Sequence, residues 1–144
     1  MEFITIILNA EKYTTKHNTF IYYSNIVNNK SYCQDHVVLY SQLANNLKHL
    51  STTPNDAFIT PNLCNDMHNC LISVGDAWLK SNVPIILNSK AFTEQKLLII
   101  ITWDEGYVGD NHIATIFAGS AAKLHYKSRS SYNHYSLLHT IDYL

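Results

Sequence analysis

The chain has 144 residues, the size of one ordinary domain, and 47% of them are apolar, enough for a sizeable core. Charged residues make up only 15% and the formal net charge is −1, with lysines and arginines scattered, so no basic stripe points to nucleic acid or to an anionic membrane. No stretch approaches the roughly 20 apolar residues that span a bilayer, which argues against a transmembrane segment.

The opening MEFITIIL is apolar but short, carries Glu2, and lacks both a basic start and a small-residue cleavage site. It is a poor signal peptide and reads as a strand over Met1 to Leu8, or as the ragged start of a shortened chain. Thr14 to Asn29 is polar and aromatic around Phe20, Ile21, Tyr22 and Tyr23. From Asp35 the pattern turns helical: Leu39, Leu43, Leu47 and Leu50 recur at three- and four-residue steps and share one helical face. Ser51 to Asp56 supplies a Pro-containing turn, and Ala57 to Thr60 reads as a short strand stopped by Pro61. A polar loop covers Asn62 to Cys70. Gly75 to Lys80 and Val83 to Asn88 look like two helical pieces interrupted at Pro84, which suits the first turn of the second piece. Lys96 to Thr102 and Ile113 to Ala118 read as strands joined by an acidic loop. A loop runs on to Ser131, and Leu137, Leu138, Ile141 and Leu144 place a final helix over Tyr135 to Leu144. Strands alternating with helices predict an α/β sheet with helices packed on it, in a single domain over residues 1–144. Three or four strands leave bare edges, so self-association through them, or a larger sheet, is expected.

Three segments carry residues suited to chemistry. The apolar run Leu97 to Ile101 ends abruptly at Asp104 and Glu105, and His112 precedes the next apolar run. Ligands of open α/β sheets bind beyond the carboxyl ends of strands. Two carboxylates there suit a hard divalent cation, and Gly106 permits a tight backbone. The second segment, FITPNLCNDMHNC, also follows a strand and gathers Asn65, Asp66 and His68. Imidazole suits phosphate hydrogen bonding, metal binding or leaving-group protonation. Local turn chemistry explains Asn62, Asn65 and Asn69 well, and His68 less well. The third is YNHYSLLHTI, where His134 opens the last helix and anions are attracted to helix starts. Capping and packing by Tyr132, Asn133, Tyr135 and Ser136 is the favoured account there.

Cys33, Cys64 and Cys70 make an odd set that fits no complete disulfide framework. A zinc knuckle of Cys64, His68 and Cys70 has a spacing that matches no common pattern. A Cys64–Cys70 bridge and unbridged structural thiols both stay open, and with them the redox compartment. A Gly-rich phosphate loop, a G-x-S-x-G elbow and an H-E-x-x-H helix are all missing from the sequence.

Taken in order, FITPNLCNDMHNC, WLKSNVPIILNSKAF, LLIIITWDEG, GDNHIATIFAG and YNHYSLLHTI resemble the phosphoesterase family of acid phosphatases and phospholipases C, within the alkaline phosphatase superfamily. The likeness runs from about Lys16 to the end. It implies an α/β/α sandwich of alkaline-phosphatase-like type, here incomplete, with a central mixed sheet and flanking helices. It also implies metal-assisted hydrolysis of phosphate esters, in which a metal-bound Ser or Thr attacks phosphorus and water cleaves the phospho-enzyme. By the same likeness Asp104 and Glu105 would hold a divalent metal ion of unknown identity, and His68 would hydrogen-bond the phosphoryl group. His112 would contact phosphate or support a residue that does, and Asp66 is a weaker candidate. Substrates would be phosphate-ester small molecules or phospholipid headgroups, and relatives commonly act outside the cytoplasm.

One departure stands out. Family members are much longer, and their Glu-Asn metal ligands and nucleophile lie in an N-terminal half without counterpart here. NNKSYC at Asn28 to Cys33 is only a faint likeness. The expectation is a C-terminal piece or degenerate copy that lacks the nucleophile and shows no metal-dependent hydrolysis of phosphate esters alone; the alternative is a non-catalytic binding or structural module with a vestigial metal site.

Overall fold

A computed structural model describes residues 3–7 and 13–144. The chain divides into two compact units, Met1–Leu97 and Leu98–Leu144.

The first unit is organised by a strand that the opening apolar run predicts. Strand β1 spans Phe3–Ile7, while Met1, Glu2 and Leu8 of the expected strand lie outside the described residues. It pairs in parallel with β2 (Val37–Leu39) on one side and β3 (Asp56–Thr60) on the other. The order β2-β1-β3 sets Thr5 opposite Val37 and Phe58. Parallel neighbours need crossovers, and the intervening segments supply them as short helices. After two 3₁₀ turns at Thr15–His17 and Thr19–Tyr22 come α1 (Ser24–Val27) and α2 (Lys30–His36). Between β2 and β3 lies α3 (Leu43–Asn46), flanked by 3₁₀ turns at Tyr40–Gln42 and Leu50–Thr52.

Alternation along β1 sends its side chains to two faces. Ile4 and Ile6 join Leu43, Leu47 and Ala91 in the buried core, with Val38, Ala57, Ile59, Ile86 and Leu97 packed around it. Thr5, on the opposite side of the strand, is also buried and donates its hydroxyl to the buried Asn18 Oδ1 at 3.1 Å. Phe20 packs edge-on against Phe58 at 5.2 Å, so the segment after β1 covers that second face. A strand covered on both sides is what its unbroken apolar sequence dictates.

Two sequence expectations fail in this unit. The leucines from Leu39 to Leu50 do not share one helix, because Val37 to Leu39 is drawn into the sheet beside β1. Leu43 and Leu47 are 2% and 5% exposed, whereas Leu39 and Leu50 are 47% and 39% exposed. Pairing with β1 and β-branched packing outweigh the helical spacing. The second concerns Pro84, which sits inside a continuous helix α4, Ile72–Leu87, rather than at a break. Its missing N–H removes one bond to the Lys80 carbonyl. In the turn before it, the Ser81 hydroxyl donates to the Ala77 carbonyl at 2.9 Å and the Asn82 amide to the Trp78 carbonyl at 2.7 Å. Helix α5 (Lys90–Glu94) follows, started by Ser89, whose Oγ accepts from Phe92 N, and held to the core by Ala91 N donating to Leu47 O at 3.3 Å.

The second unit is an antiparallel pair, β4 (Leu98–Thr102) and β5 (Thr115–Gly119), with Ile100 opposite Phe117. Parallel and antiparallel strands both occur, in two separate sheets, and the alternation with helices is that of an α/β protein. Helix α6 spans His134–Asp142 and begins with a reciprocal cap: Asn133 Oδ1 accepts from Ser136 N, and Ser136 Oγ from Asn133 N. No described helix is long and apolar enough to cross a membrane.

Candidate functional site

The carboxyl ends of β1 and β3 lie on one edge of a parallel sheet, and the segments that follow them meet there. From the first comes His17, at the end of a 3₁₀ turn. From the second comes the loop after Thr60, which carries Asp66 and His68. His17 Nδ1 and Asp66 Oδ2 are 2.9 Å apart. An ionised carboxylate only accepts, so Nδ1 carries the proton and the neutral ring keeps Nε2 as its basic atom. Asp66 Oδ1 accepts the His68 backbone N–H at 2.9 Å, so one carboxylate fixes both histidine positions. The two imidazole rings lie 5.3 Å apart, centroid to centroid. His68 Nδ1 is 2.7 Å from Asn69 Oδ1, which assigns the proton of this ring to Nδ1 as well. The arrangement presents two oriented imidazoles, each able to donate when protonated and to accept at Nε2 when neutral.

The loop has no regular structure, and its shape is set locally. Asn62 Oδ1 accepts from the backbone N–H groups of Cys64 and Asn65 at 3.1 and 3.0 Å. Asp66 N donates to Asn62 O, Met67 N to Cys64 O, and Asn69 N to Leu63 O. Met67, between Asp66 and His68, has φ 71°, a left-handed conformation that costs a non-glycine residue about 1 kcal/mol. Cys64 and Cys70 are joined by a disulfide, which settles their pairing and removes both sulfurs from any zinc knuckle with His68. Cys33 is the remaining free thiol. Helix α4 packs against the loop at Gly75, where a Cβ would lie 2.5 Å from Met67 Cγ and 3.0 Å from Asn65 O.

The sequence singles out His68 and, more weakly, Asp66, but misses His17. A signal for it exists in the order of elements: a histidine shortly after the first strand of a parallel sheet falls on the same edge as the loop after its neighbour.

The other expected residues belong to the second unit. Asp104 and Glu105 lie in the bend after β4, and His112 lies in the same β4–β5 connection; all three are exposed. Asn111 Oδ1 accepts from Gly106 N at 2.6 Å, and a Cβ at Gly106 would lie 3.0 Å from the His112 backbone, so the glycine lets the connection fold back on itself. His134, which the sequence places at the start of the last helix, donates from Nε2 to the Asp104 carbonyl at 2.8 Å and ties α6 to the acidic bend. An open cleft of about 1320 Å³ in this unit is lined by Asp110, His112, Lys123, Lys127, Arg129 and His134, among others. Two adjacent carboxylates provide the hard oxygens a divalent cation prefers, but Mg²⁺ and Ca²⁺ take about six to eight ligands. Among the described residues no group of three or more His, Cys, Asp or Glu is arranged so that it could hold a metal ion. Asp104 and Glu105 therefore fit part of a metal site and do not complete one.

Comparison with known proteins agrees with the motifs. A phosphate-repressible acid phosphatase of Penicillium chrysogenum is 30% identical over 91% of this chain and 32% of its own length. A probable acid phosphatase of Kluyveromyces lactis is 30% identical over 92% of the chain and 32% of its own length. A phosphatidylinositol-3-phosphatase of Mycobacterium tuberculosis is 31% identical over 94% of the chain and 42% of its own length. The chain thus spans about a third of the length of the curated relatives it matches. No solved structure gives a significant match. The model of the phosphoesterase family matches residues 2–110, a stretch that includes the histidine-bearing loop and the acidic pair, and the chain belongs to that family.

Proposed function

We propose that this chain supplies the phosphoryl-binding and proton-transfer part of a phosphate-ester hydrolase. The supporting observation is the His17–Asp66–His68 grouping at a parallel-sheet edge, in a chain of the phosphoesterase family. In the overall reaction a P–O ester bond breaks, water adds, and an alcohol and phosphate leave. Protonated imidazoles hydrogen-bond the phosphoryl oxygens; His68 is assigned this role. The same kind of group gives a proton to the departing alkoxide or takes one from the attacking oxygen. His17, oriented by Asp66, is assigned that transfer. His112 is assigned a contact to phosphate or support of a residue that makes one.

Metal assistance belongs to this reading with Asp104 and Glu105 as two ligands of a divalent cation. Because the set is incomplete, no step above runs through the metal. Substrates follow the names of relatives, acid phosphatases and a phosphatidylinositol-3-phosphatase, which favour phosphomonoesters, free or on a lipid headgroup.

Titration with inorganic phosphate, followed by histidine-ring ¹H–¹⁵N correlations of the full chain, tests the assignment. The His17 and His68 resonances are expected to move, and His68→Gln to weaken binding. Rings unmoved by phosphate overturn it. Release of p-nitrophenol from its phosphate ester then separates a hydrolase from the alternative, a module that binds without turnover. Calorimetry with Mg²⁺, Ca²⁺, Mn²⁺ and Zn²⁺ reports the cation site; heat that disappears in Glu105→Ala supports it, and equal heat refutes that ligand assignment.

A further inference from the structure

The Cys64–Cys70 disulfide closes a ring of chain that contains both Asp66 and His68. We propose that it is a redox-sensitive clamp that positions this carboxylate and imidazole, so that the thiol–disulfide state of the pair sets how well the edge binds a phosphate dianion. The inference rests on the assignment of that edge to phosphoryl recognition.

Three observations converge on it. The backbone bonds from Asp66 N, Met67 N and Asn69 N, to Asn62, Cys64 and Leu63, fold the loop back onto its own start, and the bridge adds the covalent closure one residue beyond the last of them, at Cys70. Met67 is held at φ 71° between the two functional residues. A methionine returns to negative φ once its surroundings stop enforcing the left-handed form. That rotation changes the chain direction between Asp66 and His68, and with it the bond from His68 N to Asp66 Oδ1. The third observation is access: both cysteines are half-buried rather than enclosed.

The chemistry balances with a dithiol as the reductant. One thiolate attacks a bridge sulfur, the S–S bond breaks, and a mixed disulfide forms. The second thiol of the reagent resolves it. Two electrons and two protons have then passed to Cys64 and Cys70, which end as thiols, and the reagent leaves as a cyclic disulfide.

The test uses the full chain with Cys33→Ser, so that thiol exchange involves only the bridge. Inorganic phosphate binding is measured by histidine-ring resonances before reduction with dithiothreitol, after it, and after reoxidation. Far-UV circular dichroism is recorded at each stage. Reduction is expected to weaken phosphate binding by about tenfold, the scale of losing a preorganised site, with unchanged dichroism and recovery on reoxidation. The Cys64→Ser/Cys70→Ser variant is expected to behave like the reduced chain. Equal affinity in both states overturns the clamp. Loss of dichroism on reduction also overturns it, because the bridge then holds the fold rather than the loop. If the oxidised chain binds no phosphate, the assignment of the edge fails on its own. The clamp is then judged by the His17 and His68 resonances without phosphate: movement on reduction supports it, and no movement overturns it.

Discussion

Replacing Gly75 by alanine tests how the histidine-bearing loop is seated. Gly75 is buried within α4, and an added Cβ would lie 2.5 Å from Met67 Cγ and 3.0 Å from Asn65 O. Two effects oppose each other. Alanine favours the helix over glycine by about 1 kcal/mol. Forcing an extra carbon into a packed contact costs about 1–3 kcal/mol. Met67 is flexible along its side chain, but Cγ can retreat only by a change of χ1 inside a packed contact, and the Asn65 carbonyl is backbone and moves only with the loop. The cost should win, with a net loss of about 1 kcal/mol, or about 2–4 °C in Tm for a chain of this length. Urea denaturation of wild type, Gly75→Ala, Met67→Ala and the double variant gives the coupling directly. The double variant should recover stability relative to the sum of the singles by about 1 kcal/mol. Phosphate-induced shifts of His68 should shrink in Gly75→Ala and return in the double variant. A Gly75→Ala chain that is more stable than wild type by about 1 kcal/mol would show that helix and loop do not make the close approach described.

Three further outcomes are expected. Asp66→Ala removes the acceptor of the His17 Nδ1–H and of the His68 backbone N–H, and should lower stability by about 1 kcal/mol in urea denaturation, while Asp66→Asn, which keeps an acceptor oxygen, should lose less; equal losses would deny the carboxylate its double role. Burial holds the half-buried Asp56 carboxyl above its ordinary value of 3.8, so the folded chain keeps this proton to higher pH than the unfolded chain. Its contribution is therefore present below that value and lost as pH rises through the folded one, and Asp56→Asn should flatten that part of a stability–pH curve; an unaltered slope refutes it. Tyr40 Oη is buried without a hydrogen-bond partner among the described residues, so Tyr40→Phe should leave stability unchanged or raise it by up to about 1 kcal/mol, and a loss of more than that in thermal denaturation refutes the reading.

Apart from β2, the strands were legible in the sequence because apolar runs bounded by Pro, Gly or acids carry their own ends: Ala57 to Thr60 falls inside β3, and β4 falls inside the predicted Lys96 to Thr102. The last helix was legible through its leucines and Asn133. The leucines from Leu39 to Leu50 misled, since spacing within one segment says nothing about β1 competing for Val37 to Leu39. Pro84 misled because a helix tolerates one lost bond when the turns on either side are sound. At the candidate site, Asp66 and His68 could be singled out from a local motif. His17 could not, because its partner lies 49 residues away and only the parallel pairing of β1 with β3 brings the two loops together. The choice between bridge and thiols at Cys64 and Cys70 likewise needed the loop's path.

Phosphoryl transfer demands two things of a protein: orientation of the reacting groups and neutralisation of charge. In the function proposed for this chain they fall to different segments with different degrees of construction. The histidine edge is built, with one carboxylate serving two residues, a bridge, an Asx turn and a glycine contact all fixing one short loop. The acidic pair is presented on an exposed bend whose recorded ties are backbone ones, through Gly106 to Asn111 and through the Asp104 carbonyl to His134. A preformed constellation binds its ligand without reorganising, whereas an exposed pair must first be ordered by what it binds. Phosphate recognition by His17 and His68 should accordingly persist when chelator strips divalent cations, while cation binding at Asp104 and Glu105 should be weak. Phosphate shifts of the two imidazoles that vanish with chelator and return with added cation would reverse this ordering and make the carboxylate pair, rather than the histidine edge, the organising element.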